Sequence, residues 1–144
     1  MEIGLLGQIG IGGSFGLSAL GAALAMGVSG PAVIGSWKKC YAQNKPAPFI
    51  LLIFAGTCLS NVIYGFIVMG SLANSVVLDN SALFALGMGA GLTIGAVAIT
   101  QAMCSAAAAE AYAETGKGFG NFLMVIGIAE TVSLFAMVFT MLYA

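Results

Sequence analysis

Four long apolar segments, separated by short polar stretches, dominate the hydrophobic pattern of the chain. They lie near residues 9–36, 49–73, 82–112 and 119–143. Each is long enough to cross the hydrocarbon core of a bilayer, which takes about 20 helical residues. Because backbone polar groups find no water inside lipid, such segments are expected to form helices. The pattern therefore predicts an all-α membrane protein with four transmembrane helices.

The composition supports a membrane protein and excludes several functions. Hydrophobic residues make up 60% of the chain and charged residues only 6%, whereas a soluble domain has about 25% charged residues. The five acidic and four basic residues nearly cancel, so the chain has no excess positive charge with which to bind nucleic acid. The chain has no His, so Ser–His catalysis and His-ligated metal sites are excluded. Its three cysteines form no Cys-x-x-Cys pair and are predicted to be free thiols.

The basic residues predict how the chain is oriented in the membrane. The four lysines lie in the connector between the first two segments and in the turn between the last two: Lys38, Lys39, Lys45 and Lys117. The opposite side carries Glu2 and Asp79 and no base. Because lysine-rich loops stay on the cytoplasmic side, we expect both lysine-bearing loops in the cytoplasm and both termini outside.

The second half of the chain repeats the first. Gly10 aligns with Gly87 when the first segment is laid on the third, and Gly56 aligns with Gly127 when the second is laid on the fourth. The first and third segments are rich in glycine, which lets membrane helices approach closely. The repeat predicts two tandem helical hairpins with the same orientation, at residues 1–75 and 76–144, within one membrane domain.

One carboxylate, Glu130, lies in the middle of the fourth apolar segment, and no basic residue follows it. Burying an ionised carboxylate at the centre of a bilayer costs about 2.5–3.5 kcal/mol on insertion scales. An acid at this depth predicts a functional site that binds a cation; the alternative is a carboxyl kept protonated or capped by a neighbouring helix. The first hairpin has Leu59 at the aligned position.

Other polar residues are predicted to lie at the depth of Glu130. Counted from Gly116 in the last turn, Gln101 and Glu130 are both ~21–22 Å away along their helices at 1.5 Å per residue. Ser60 and Asn61 lie near the middle of the second segment. Carboxylate, carboxamide and hydroxyl oxygens suit a proton or an alkali ion better than zinc or copper. An interhelical hydrogen bond is the alternative role for Gln101.

Together, the duplicated hairpins, the glycine-rich first and third helices and the single carboxylate resemble the proteolipid rotor subunit of V-type ATPases, also called the c or K subunit. Sodium-dependent members have Thr-Gln-x-x-Tyr-Gly-Phe in the second helix, a Gln in the third and Glu-Thr in the fourth. The corresponding residues here are Ser60-Asn61-Val62-Ile63-Tyr64-Gly65-Phe66, Gln101 and Glu130-Thr131.

The resemblance implies a role for each residue of this motif. Glu130 would be the carrier carboxylate, and Na⁺ would bind at Glu130, Gln101, Ser60 and Asn61. Thr57 would add its backbone carbonyl, Tyr64 would hydrogen-bond the carboxylate, and Thr131 would complete the site. Sodium is the predicted ion because these ligands are more polar than a proton requires; H⁺ alone is the alternative.

The resemblance also implies partners. Identical subunits would form a homo-oligomeric ring surrounded by lipid and by a membrane stator subunit. Central stalk subunits would dock on the cytoplasmic loops 36–47 and 113–120. The chain would perform no catalytic chemistry, and ion transfer would be coupled to ATP hydrolysis or synthesis in a soluble head. A small four-helix secondary transporter is the competing prediction.

Overall fold

The protein consists of four long helices, as the hydrophobic pattern predicts. The computed structural model describes residues 3–144. Its helices are α1 (Leu5–Ala42), α2 (Phe49–Ala73), α3 (Asn80–Thr115) and α4 (Phe119–Tyr143). All four are long and apolar enough to cross a membrane, so the chain is an all-α integral membrane protein with four spans. Glu2, placed on the outer face by the charge pattern, lies outside the described residues.

The first connector is shorter than predicted because α1 extends beyond its apolar segment. The helix continues through Lys38 and Lys39 to Ala42, so most of the predicted loop 36–47 is helical. Lysine is a good helix former, and a helix can continue beyond the membrane surface into water. The break comes at Asn44, whose φ of 54° is left-handed. The hydrophobic pattern located the part of α1 that crosses the membrane and missed this polar extension.

The second lysine-bearing loop is also shorter than predicted. Instead of residues 113–120, the connector comprises only residues 116–118, between α3 and α4. Gly116 and Gly118 have φ values of 64° and 84°, which glycine adopts without the steric penalty of a side chain. Two left-handed glycines thus reverse the chain within three residues and set the register of α3 against α4.

α2 departs twice from α-helical geometry. It begins with a 3₁₀ turn at Phe49–Leu51 and contains a second at Thr57–Leu59, directly before the segment that carries Ser60 and Asn61. Irregular backbone at membrane depth is tolerated where it lines a polar site or is buried in protein. The apolar pattern predicted the bounds of this span and gave no sign of the interruption.

Glycine contacts hold α1 against α3. A Cβ added at Gly87 would overlap the backbone carbonyl of Gly10. One turn further along α3, a Cβ at Gly91 would lie 2.6 Å from the carbonyl oxygen of Gly13. α2 and α4 then pack along this inner pair, and α4 remains the most exposed of the four helices. The small residues therefore set the separation of the inner helices, as predicted from their spacing.

Gly87→Ala should destabilise the protein by about 1–3 kcal/mol, because the added methyl group would force the α1 and α3 backbones apart. Gly89→Ala is the matched control on the same helix, since nothing lies within 4 Å of a Cβ at Gly89. Both substitutions gain the same helix propensity. Thermal unfolding of the detergent-solubilised protein measures the difference; equal unfolding temperatures for the two variants would contradict the close approach.

The two hairpins lie side by side with both connectors at one end of the bundle. At that end Lys39 Nζ lies 3.4 Å from Glu114 Oε1, and the Trp37 indole N–H donates to the Pro48 carbonyl at 2.9 Å. At the opposite end the Gly4 N–H donates to Asn80 Oδ1 at 2.8 Å. α1 and α3 therefore run in the same direction. The division of the chain at residues 75 and 76 stays a prediction.

Asp79 fixes the start of α3. Its carboxylate accepts hydrogen bonds from the Ser81 hydroxyl at 2.7 Å and from the Ala82 N–H at 3.0 Å. These bonds, with the Ser81 hydroxyl contributing most, hold the pKa of the Asp79 carboxyl below its usual value. Capping an orphan backbone N–H in this way defines the first turn of the helix. The capped turn places Asn80 where it meets the start of α1.

Candidate functional site

Glu130 lies in the interior of α4, where two neutral side chains hold its carboxylate. The Tyr64 hydroxyl donates to Oε1 at 2.6 Å, and Gln101 Nε2 donates to Oε2 at 3.3 Å. Tyr64 comes from α2 and Gln101 from α3. Three helices therefore meet at the carboxylate, and the depth inferred by counting from the last turn is confirmed for Gln101.

Within residues 3–144, no lysine forms an ion pair with Glu130. Among residues 3–144, the ion pair formed is Lys39–Glu114, at the exposed end of the bundle. The same residues contain no cluster of His, Cys, Asp or Glu that could hold a metal by itself. A lone carboxylate supported by neutral dipoles can accept a proton or one monovalent cation.

Asn61 lies beside Gln101 and does not touch the carboxylate. Its Nδ2 donates to Gln101 Oε1 at 2.7 Å and to the Cys58 carbonyl at 3.3 Å. Both Asn61 and Gln101 are completely buried, so all the polar atoms of their carboxamides need partners from the protein. Because the Gln101 carbonyl oxygen accepts from Asn61, the NH₂ group of Gln101 is the one that points at Glu130.

Two serines extend this network, and the sequence analysis missed both. Ser133 Oγ donates to Asn61 Oδ1 at 2.5 Å. Ser105 Oγ donates to the Gln101 carbonyl at 3.0 Å and lies 2.7 Å from Thr57 Oγ1. Ser133 follows Glu130 by three residues and Ser105 follows Gln101 by four, so each shares a helix face with the residue it supports. That spacing was the signal that could have identified them.

The remaining predicted site residues lie at different distances from the network. The Ser60 hydroxyl donates to the Thr57 carbonyl at 3.1 Å, so the predicted hydroxyl and carbonyl ligands are adjacent at the 3₁₀ turn of α2. The Thr57 hydroxyl, which has no predicted role, bonds Ser105 Oγ. Thr131 is exposed and donates to the Ile128 carbonyl of its own helix at 2.7 Å. The structure therefore does not bring the Thr131 side chain to the carboxylate.

The second hairpin matches a known protein family. A family model that describes the ATP synthase C subunit aligns with residues 84–143, which cover most of α3 and all of α4 and include Gln101 and Glu130. The match covers less than half of the chain and leaves α1 and α2 outside it. No curated protein matches the chain significantly.

The family match falls on the hairpin that carries Glu130. This hairpin is one of two in a bundle of four long apolar helices. The second hairpin is therefore similar to the ATP synthase C subunit over residues 84–143, and both Gln101 and Glu130 lie within that similarity.

Proposed function

We propose that this chain is the rotor subunit of a V-type ATPase and carries Na⁺ at Glu130. The observation that supports this most is the buried polar network around the carboxylate. Gln101 and Tyr64 bind Glu130 directly, and Asn61, Ser133 and Ser105 support them. The first hairpin has the exposed Leu59 at the aligned position, so each chain would carry one ion.

Sodium fits the donor set better than a bare proton does. A proton needs only a carboxyl that burial keeps neutral, and it makes no use of additional oxygen ligands. The chain instead provides the Glu130 carboxylate bonded to the Gln101 carboxamide, which in turn bonds the Asn61 carboxamide. α2 adds the Ser60 hydroxyl, which bonds the Thr57 carbonyl. Hard oxygen atoms of this kind are the ligands that alkali ions prefer. H⁺ remains the alternative coupling ion for the same carboxylate.

The transport cycle follows from the energy of a buried charge. In lipid, Glu130 must be neutralised by its ion, because a bare carboxylate there is too unfavourable. At a stator subunit, a basic group of that partner would displace the ion and open a path to one side of the membrane. Rotation of a ring of identical subunits would then couple ion transfer to ATP hydrolysis or synthesis in a soluble head.

We further propose that the lysine-bearing end faces the cytoplasm and docks the central stalk. Both connectors lie at that end, and positively charged loops are retained on the cytoplasmic side. Lys38 and Lys39 lie at the end of α1, and Lys45 and Lys117 lie in the two connectors. All four would face a soluble partner at this end of the bundle. Both chain termini would lie on the outer side.

The competing function, a small secondary transporter with one essential Glu, is less consistent with these features. Such an exchanger would have aromatic side chains around the carboxylate, whereas Glu130 meets a carboxamide and one phenol. The family matched by the second hairpin consists of rotor subunits. The mass of the detergent-extracted assembly separates the two: the rotor proposal predicts a ring of many chains, and an exchanger predicts a monomer or dimer.

Sodium should slow the reaction of Glu130 with a hydrophobic carbodiimide, because a bound cation occupies the carboxyl oxygen atoms that would otherwise add to the central carbon of the reagent. The measurement is the labelling rate of the purified complex near neutral pH, with and without millimolar NaCl, followed by mass spectrometry. KCl at the same concentration controls for ionic strength. Protection by NaCl alone supports sodium as the coupling ion. Equal rates in both salts would contradict sodium and favour the proton.

A further inference from the structure

The internal 3₁₀ turn of α2 takes a backbone donor away from the Ala55 carbonyl. In a continuous α-helix this carbonyl would accept from the N–H group four residues later, that of Leu59. Leu59 is the last residue of the 3₁₀ turn, and in such a turn each N–H group reaches back only three residues. Ala55 is almost completely buried, so its carbonyl oxygen needs another donor from the protein.

Ser29 of α1 supplies that donor. Its hydroxyl lies 3.2 Å from the Ala55 carbonyl oxygen and 3.3 Å from the Ala25 carbonyl oxygen of its own helix. Ala25 already has a helical N–H donor within α1, so the hydroxyl matters more to Ala55. The Cys58 thiol lies 3.7 Å from the same oxygen, but a thiol is only a weak donor. Ser29 is therefore the strongest donor that faces this carbonyl.

α3 holds the same turn from another side. The hydroxyl of Thr57, the first residue of the turn, lies 2.7 Å from Ser105 Oγ. One serine of α1 and one of α3 thus meet the turn, and they differ in what they bond. Ser105 bonds a side chain, whereas Ser29 bonds the backbone that the change of helix type leaves without a partner.

The turn decides which way the rest of α2 faces. A 3₁₀ helix rotates by ~120° per residue and an α-helix by ~100°. Over the three residues Thr57–Leu59 the difference amounts to ~60° of rotation about the helix axis. Asn61 and Tyr64 follow the turn and bond Gln101 and Glu130 respectively. Straightening the turn would swing both side chains away from these partners.

We infer that Ser29 is a positioning residue: by holding the Ala55 carbonyl it keeps the 3₁₀ turn in place, and the turn aims Tyr64 and Asn61 at the Glu130 site. Its importance for transport rests on the proposed role of Glu130, whereas the geometry is the same for either coupling ion. In the part of the chain that the structure describes, no α1 side chain bonds the carboxylate itself. The inference gives the first helix a part in the site.

Hydrogen exchange of the detergent-solubilised protein tests whether Ser29 holds the turn. Ser29→Ala leaves the Ala55 carbonyl without its hydroxyl donor, so opening the turn loses one bond fewer. The amides of residues 57–61 should then exchange about tenfold faster, the equivalent of one buried hydrogen bond. Exchange of these amides at the wild-type rate would overturn the inference.

Ser18→Ala is the matched control for this measurement. Ser18 is another completely buried serine of α1, and its hydroxyl bonds the Ser14 carbonyl of its own helix at 2.7 Å. Its removal should leave the amides of residues 57–61 at the wild-type rate. Equal acceleration by Ser18→Ala and Ser29→Ala would mean that the loss of any buried hydroxyl from α1 loosens α2, which contradicts a specific role for Ser29.

A double-mutant cycle tests whether Ser29 acts on Tyr64. Tyr64→Phe removes the hydroxyl that bonds Glu130 and should lower the unfolding temperature of the protein. In the Ser29→Ala background, where Tyr64 is no longer aimed at Glu130, the same substitution should lower it by roughly half as much or less. The full decrease should return in the Ser18→Ala background. Equal decreases in all backgrounds would overturn the inference, because a Ser29 that only stabilises α1 is not coupled to Tyr64.

Ser29→Cys is the second variant if Ser29→Ala does not assemble. It fills the same space and keeps only a weak donor, so the amides of residues 57–61 should exchange a few-fold faster; wild-type exchange would again contradict the inference. Ring mass separates this inference from the proposed function. A ring of many chains in which Ser29 and Tyr64 are uncoupled removes the inference alone, and a wild-type monomer or dimer removes the rotor proposal alone.

Discussion

Glu130→Gln should abolish ion translocation by the complete rotary ATPase, with a fall of at least ~100-fold in ion transport into vesicles. The carboxamide has nearly the same shape as the carboxylate but cannot bind a proton reversibly or neutralise a cation. Placing the charge of a carboxylate at this depth costs at least ~2.5 kcal/mol of free energy. That energy is on the order of a 100-fold change in an equilibrium constant. Tyr64 and Gln101 should still pack against the substituted side chain.

The control for this prediction is Glu110→Gln. Glu110 is exposed near the end of α3, away from the carboxylate site, so its charge is already solvated. The control variant should transport ions at the wild-type rate with the same ring mass. Transport by Glu130→Gln at a rate within a few-fold of wild type would remove Glu130 from the ion path.

Gln101→Leu should have the second largest effect, with a loss of about 10- to 150-fold in sodium affinity. The substitution removes a hydrogen bond to a charged group, typically ~1.5–3 kcal/mol, and with it the carboxamide oxygen proposed as a sodium ligand. It also leaves the Asn61 NH₂ group without its shortest bond, the one of 2.7 Å. Equilibrium binding of radioactive sodium to the purified ring measures the affinity directly.

Thr100→Ala controls for changes to α3 next to this position. The Thr100 hydroxyl donates to the Val97 carbonyl of its own helix at 2.9 Å and makes no contact with Glu130, so sodium affinity should stay at the wild-type value. If Gln101→Leu bound sodium normally, the hydrogen bond to Glu130 would be only interhelical packing, the alternative raised by the sequence.

The hairpin of α3 and α4 was the most predictable part of the site. A helix advances by a constant rise per residue, and the turn at Gly116 and Gly118 is short. Counting residues outward from such a turn therefore gives relative depth without any knowledge of packing. This is why Gln101 and Glu130 could be paired from the sequence, and why the structure joins them by a hydrogen bond.

The contribution of α2 was less predictable. Its connector to α1 is longer, so counting does not fix its register against α3 and α4. The 3₁₀ turn at Thr57–Leu59 then rotates the residues that follow it relative to a regular helix. Asn61 therefore meets Gln101 and Ser133, and its role as a direct sodium ligand stays a prediction.

Serine and threonine roles were the hardest to predict. Their hydroxyl groups can bond carbonyls of their own helix, as Ser18 and Thr131 do, or side chains of another helix, as Ser133 does. Composition and hydropathy do not distinguish these cases, because the outcome depends on which face of the helix meets a neighbour. Spacing from a known polar residue is the usable signal, and it would have identified Ser133.

The position of the carbodiimide adduct tests most directly whether Glu130 is the ion carrier. The chain has five acidic residues, so the reagent has several possible targets. If Glu130 is the carrier, the adduct is expected on the peptide that contains Glu130, at no more than one per chain, and ion transport should stop once each ring carries an adduct. An adduct elsewhere, or full transport by rings labelled at Glu130, would contradict it.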